Sequence, residues 1–237
     1  MSKGNLIVQS DILAEKMDSR ASKALIEETF KIMQHDEVSK VAKSDPLIIT
    51  LGNNWMLRNV GNKLMRCYYT SSVMRLAAKF KLELQKIDGG DKDLAQLLSP
   101  KSFDNTVLAA LKCCNQDDEE DLKSPTNAIK LGYDIKRMAS AKLATALKEG
   151  DETVRKDAEG FLKLMDMEWG TKVNKLARVT LTERAFNVTR QLPLPEDIKA
   201  LATYLQNELE TLDLMDYTRG NFRRIATLTL ARVTLYN

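Results

Sequence analysis

Residues 124–173 constrain the fold more than any other stretch of the chain. Ser124 followed by Pro125 marks a helix start, with Ser at the N-cap and Pro at the first helical position. Ala128, Leu131, Ile135, Met138, Leu143 and Ala146 then recur near helical spacing and define one apolar face. Gly150 stops that helix and Asp151 is placed to cap the next. Val154, Ala158, Phe161, Met165 and Trp169 fall at i, i+4, i+7, i+11 and i+15, the clearest stripe in the sequence. So short a connection makes the two helices antiparallel neighbours whose shared seam other helices must cover.

The rest of the chain reads the same way. Leu13, Met17, Ala21, Leu25, Thr29 and Met33 give a helix, with a break allowed, over residues 8–33. Val38, Val41 and Ala42 give a short one over 36–43, ended at Asp45-Pro46. Leu47-Ile48-Ile49-Thr50-Leu51 is β-branched and apolar, and fits either a short strand or a buried helical turn. Gly52-Asn53-Asn54 is a turn signal, and residues 55–65 are helical with Gly61 as the weak point. Thr70-Ser71-Ser72 caps a helix running to Lys86, with Val73, Leu76, Ala77, Phe80 and Leu84 inside. Residues 94–98 form a short turn and 102–114 a helix. Residues 116–122 are an acidic loop, and a helix follows over 171–181. After a linker at 187–192 come helices at 196–212 and 221–236. The last one, carrying Phe222, Ile225, Leu228, Val233 and Leu235, reaches the final residues without a stop signal, so the chain is expected to be cut inside a domain. The fold class predicted is all-α.

Apolar residues make up 43% of the 237, enough for a sizeable core, and no run nears the length of a membrane span. Cys67, Cys113 and Cys114 are an odd set with two adjacent members, which suits a reducing, intracellular compartment rather than a disulfide framework. Adjacent Cys113 and Cys114 read as apolar filling. One histidine, His35, argues against a zinc finger, and no metal or cofactor is predicted. The N-terminus has no signal-peptide pattern. Net charge is only +3, but its distribution is uneven. Residues 61–86 hold six basic groups against one acidic, residues 101–125 three against six, and residues 126–190 thirteen against nine. The basic excess lies on two segments either side of an acidic loop.

Several words of this sequence resemble one family in order. Ser71-Ser72-Val73-Met74-Arg75-Leu76-Ala77-Ala78-Lys79-Phe80 resembles the first core-binding helix of the tyrosine recombinases (phage-integrase-like proteins), in the transposon-derived branch of animal genomes. Ser99-Pro100-Lys101-Ser102-Phe103-Asp104 and Leu131-Gly132-Tyr133-Asp134-Ile135-Lys136 resemble its second and third core elements, and residues 161–169 the helix closing that domain. Leu192-Pro193-Leu194-Pro195-Glu196-Asp197-Ile198 resembles the start of the catalytic domain, and residues 228–237 the helix before the first catalytic arginine. The resemblance implies an N-terminal helical segment at 1–61, a SAM-like core-binding bundle at 62–182 and a truncated start of a catalytic-like domain at 190–237. It departs from the family in lacking the catalytic arginine, histidine and tyrosine set. Tyr236 has no Arg/His cluster beside it and reads as packing, so no catalytic residue is assigned.

What the resemblance implies is binding of double-stranded DNA without catalysis, in a nuclear protein. The candidate contacts are Arg66, Tyr69, Ser71, Ser72, Arg75, Lys79 and Lys86 on the first basic segment and Lys130 and Arg137 on the second, with the hydroxyls donating to phosphate at the helix start. Without it, these residues read more readily as a solvated helix face, and only with it do the two readings balance; Asp134 interrupts the second stripe. Trp55 and Trp169 read as core anchors. The alternative function is a helical protein-interaction module, or self-association, through the apolar surface of residues 228–236, with Leu228 and Tyr236 at its ends. Neither reading involves a membrane.

Overall fold

The computed structural model describes residues 18–114, 116–118, 121–186 and 193–236. Ten α-helices are described: α1 (Glu37–Ser44), α2 (Pro46–Arg58), α3 (Arg66–Asp88), α4 (Leu94–Leu97), α5 (Phe103–Cys113), α6 (Pro125–Glu149), α7 (Glu152–Trp169), α8 (Lys175–Phe186), α9 (Pro195–Glu210) and α10 (Arg219–Tyr236). A two-stranded antiparallel ribbon, β1 (Gln116–Asp118) and β2 (Asp121–Leu122), is the only β-structure among the described residues. The protein is all-helical in class, and none of the described helices is long and apolar enough to cross a membrane.

The chain divides into two compact units, one up to Phe186 and one from Asn187. In the first, α6 and α7 pair as their stripes demand. Gly150 takes the left-handed conformation (φ 73°) that ends α6. The Asp151 carboxylate then accepts hydrogen bonds from the backbone N–H groups of Thr153 and Val154, both at 3.0 Å. Lys136 pairs with Asp166 and Lys142 with Asp157, while Gly132 lies against Trp169, a register that only an antiparallel pair can make. Ala158, Phe161, Met165 and Trp169 are all buried. Phe161 meets Phe103 of α5 edge-to-face, with ring centroids 5.8 Å apart. The other long helix, α3, is central: α1, α2, α5 and α6 all pack on it.

Asp45 is the junction of the N-terminal half. It closes α1, and its carboxylate caps α2 by accepting from Leu47 N (2.9 Å) and Ile48 N (3.2 Å). The same carboxylate accepts from Leu94 N (3.0 Å) and pairs with Lys81 of α3 at 2.9 Å, so this buried side chain ties together three elements while the Asp45 backbone N–H closes a fourth, α1. This resolves the ambiguity at residues 47–51 in favour of helix. The cap and Pro46 start the helix, and Leu47, Ile48, Ile49 and Leu51 bury against the bundle, which outweighs their strand preference.

Several sequence expectations need correction. The helix predicted over residues 55–65 ends at Arg58, where Asn59 folds its side-chain amide back onto Trp55 O at 2.9 Å. The next helix starts at Arg66, so Thr70, Ser71 and Ser72 lie inside α3 and cap nothing; Thr70 and Ser71 are buried there instead. Of the helix expected over 8–33, residues 8–17 lie outside the described residues. Within 18–33 the helical stretch is confined to residues 23–30 and is mostly a π-helical turn, Leu25–Phe30, with Leu25 and Phe30 buried. The acidic loop holds the β-ribbon and buries Leu122. Ser124 occupies the N-cap of α6, but its side chain makes no capping bond. The helix expected over 171–181 runs on directly from α7 through a π-turn, Gly170–Asn174, and extends as α8 to Phe186.

The second unit is the α9/α10 pair. Leu205 and Leu228 are buried, Asn221 donates to Asp213 O and Asp216 O across the connection, and Arg224 pairs with Glu208. Phe222, Leu230 and Val233 are exposed. The expected linker at 187–192 lies outside the described residues.

Candidate nucleic-acid interface

Two helical stripes face one another in the first unit. On α3, Tyr69, Ser72, Leu76 and Lys79 recur at i, i+3, i+7 and i+10. On α6, Lys130, Tyr133, Asp134 and Arg137 recur at i, i+3, i+4 and i+7. Both line a cleft of about 590 Å³, which also takes in Arg75 and the C-terminal end of α2 through Trp55 and Asn59. The fold therefore brings together Tyr69, Ser72, Arg75, Lys79, Lys130 and Arg137 of the residues singled out from sequence. It leaves out three. Arg66 is held by Glu28, with Nε 2.7 Å from Oε2. Ser71 points into the bundle at 9% exposure. Lys86 lies further along α3, paired with Glu83 at 2.7 Å.

Within the cleft the cations are not equivalent. Lys79 and Lys130 are exposed and have no carboxylate partner among the described residues. Arg75 makes a two-pronged contact with Asp36, at 2.8 and 2.6 Å, and also donates to Gln34 O. Arg137 donates to Asp134 Oδ1 at 2.7 Å, with its guanidinium 5.3 Å from the centre of the Trp55 ring. Asp134 is buried, and burial raises its pKa against the opposing pull of Arg137 and of the Trp55 indole N–H. The residue that interrupts the basic stripe in sequence is thus the anchor that orients Arg137 and Trp55.

Two further depressions share walls with the cleft, one through Leu76, Lys79 and Asn127 and the other through Trp55, Tyr133 and Arg137. One is lined by Lys79, Lys86 and Lys112, the other by Arg58, Lys136 and Arg137. Together they form a furrow with eight cations and three carboxylates, Glu37, Glu83 and Asp134, on its walls. Glu83 and Asp134 are already engaged by Lys86 and Arg137. Arg58, Lys112 and Lys136 were not legible as site residues, because nothing in the sequence places their side chains beside the two basic stripes. Trp55 is half-buried on the cleft rather than a core anchor, whereas Trp169 is one. Burial lifts the Cys113 and Cys114 thiols to about 11 and about 12, in keeping with apolar filling.

The Arg75–Asp36 pair carries a testable pH signature. The hydrogen bonds from Arg75 hold the Asp36 carboxyl at about 2 instead of 3.8, against the opposing effect of burial. A depressed carboxyl contributes stability that is fully present above its unfolded value and is lost as pH falls through its folded one. Urea unfolding at stepped pH is expected to show that loss between pH ~4 and ~2, and Arg75→Ala to flatten it. Arg75→Ala also costs about 1 kcal/mol at neutral pH, because the pair is well aligned. A pH profile identical in wild type and variant would refute this.

Set against known proteins, no family model, no curated protein and no solved structure matches the chain.

Proposed function

We propose that the α3/α6 furrow is a phosphate track and that the chain binds double-stranded DNA without catalysing a reaction on it. The observation that carries this reading is the convergence of two separate basic segments on one cleft, where Lys79 and Lys130 have no carboxylate partner among the described residues. Cations that the protein does not neutralise itself are the ones free to release counterions from a polyanion. The resemblance of the α3, α5 and α6 words to the core-binding region of tyrosine recombinases points the same way. On this reading residues 62–182 of the first unit are a SAM-like core-binding domain of transposon origin preceded by an N-terminal helical segment, the second unit is the truncated start of a catalytic-like domain, and the protein works in the nucleus. The rival reading, a protein-interaction module, is favoured by the exposed Phe222, Leu230 and Val233 of α10.

Gel shifts at low and moderate salt decide between them. Lys79→Ala combined with Lys130→Ala is expected to leave the fold intact, since both side chains are exposed and neither holds a carboxylate. It should weaken binding across unrelated duplexes and reduce the log–log salt slope by about two, roughly 0.9 for each phosphate no longer neutralised. These are better probes than Arg75, whose loss also releases Asp36. No duplex binding at low salt would leave the interaction module as the reading.

A further inference from the structure

The central cleft has a built interior that a phosphate track alone does not need. Its wall is the Trp55 ring with the Arg137 guanidinium stacked over it. The rings of Tyr69 and Tyr133 stand at its mouth, 51% and 57% exposed. Asp134, 2% exposed, lines the same space. Both hydrogen bonds it accepts, from Trp55 Nε1 and Arg137 Nη1, fall on Oδ1, so Oδ2 accepts none from the described residues. Lys79 and Lys130 flank the opening. A stacked duplex offers phosphates and base edges but no base faces. Aromatic rings beside cations are the surface on which an unstacked base is held.

We propose that this cleft takes one unstacked nucleotide from an unpaired position in a DNA strand. Its base would lie against Tyr133 and the Trp55–Arg137 wall, an exocyclic amino N–H of the base would donate to Asp134 Oδ2, and its phosphate would sit on Lys79 and Lys130. A volume of about 590 Å³ accommodates a base with its sugar and phosphate. This inference rests on the nucleic-acid reading above and refines it: the furrow supplies affinity for any duplex, and the cleft supplies preference for an extrahelical base.

The test uses the full chain and three short duplexes of one sequence: fully paired, with a single extrahelical adenosine, and with an extrahelical abasic residue in its place. The abasic duplex controls for flexibility. The adenosine-bulged duplex is expected to bind about 10-fold more tightly than the other two, the effect of one base–aromatic stack. Tyr133→Ala should bring the ratio of bulged to paired affinity, measured in the same variant, to about one, and Tyr133→Phe should keep it at about 10. Circular dichroism verifies that both variants fold. Equal affinity for the three duplexes, or an advantage that survives Tyr133→Ala, overturns the inference and leaves the phosphate track standing. Free dAMP competing as well as the bulged duplex would overturn the requirement for a strand. Failure to bind any of the three overturns both.

Discussion

Asp45→Ala is expected to destabilise the first unit by about 3–5 kcal/mol, because it strands a buried ammonium group and removes a helix cap in one step. Lys81 is 7% exposed, and Asp45 is its close partner at 2.9 Å; Asp93, the other carboxylate nearby, is 3.9 Å away and largely solvated. The same substitution leaves the N–H groups of Leu47, Ile48 and Leu94 without their acceptor. Lys81→Met is expected to cost less than half as much. In that variant the carboxylate keeps its three backbone donors, and the apolar replacement fills the space of the lysine stem. The double variant Asp45→Ala/Lys81→Met should then be more stable than Asp45→Ala alone, since no charge is left buried without a counterpart. Urea unfolding followed by circular dichroism checks all three, with an unchanged denaturant slope confirming a common unfolded state. An Asp45→Ala effect below ~1 kcal/mol would show that solvent reaches Lys81 freely.

The way Asp45 works also explains which parts of this fold were legible in the sequence. The α6/α7 pair was readable because it is local: stripe, stop and cap lie within fifty residues, and each signal acts on its own neighbours. Asp45 was legible only as a helix break beside Pro46. Its contacts with Lys81 and Leu94 come from segments far along the chain, and no periodicity encodes them. Thr70-Ser71-Ser72 misled for the complementary reason. Hydroxyl residues favour caps where solvent competes for the backbone, but Thr70 here is fully buried and hydrogen-bonds Met56 Sδ at 3.5 Å. Tertiary burial overrode a local preference worth about 1 kcal/mol.

The site divides along the same line. Its basic residues were visible as two charged segments either side of an acidic stretch, although Arg66 and Lys86 of the first segment lie outside the central cleft. What the sequence could not show is that α3 and α6 present those stripes to each other. Nor could it show that Arg66 and Arg75, alike in sequence to Lys79, are consumed by Glu28 and Asp36. A free cation and a paired one differ only in what folds opposite them. The signal for Tyr133 and Trp55 was weaker still, since an aromatic at helical spacing is more often core than cleft. Only the exposure of Tyr133 and the position of Trp55 at the end of α2 distinguish them.

Gly132→Ala is expected to disrupt the α6/α7 seam, with a loss of about 1–3 kcal/mol from overpacking. Gly132 lies within α6, where a glycine costs helix stability relative to alanine, so a naive propensity argument predicts stabilisation. The packing argument wins because of what sits above it. A Cβ at this position would fall 2.3 Å from Trp169 Nε1 and 2.9 Å from Cε2. Those atoms belong to a rigid ring that is itself buried at 3% exposure and wedged into the core, so it cannot swing aside as a flexible chain end would. Either α7 retreats along much of its length or the indole leaves its site. The Trp169 N–H has no acceptor among the described residues, so a hydrogen bond to them is not what holds the ring; close packing on glycine is. Trp169→Phe removes the pyrrole edge that meets the new methyl group. On its own it should destabilise by leaving a void, yet combined with Gly132→Ala it should cost less than the sum of the two single effects. Thermal unfolding of the four proteins in this cycle measures the coupling directly. Strict additivity would mean that Gly132 is not the contact that sets the spacing of α6 and α7.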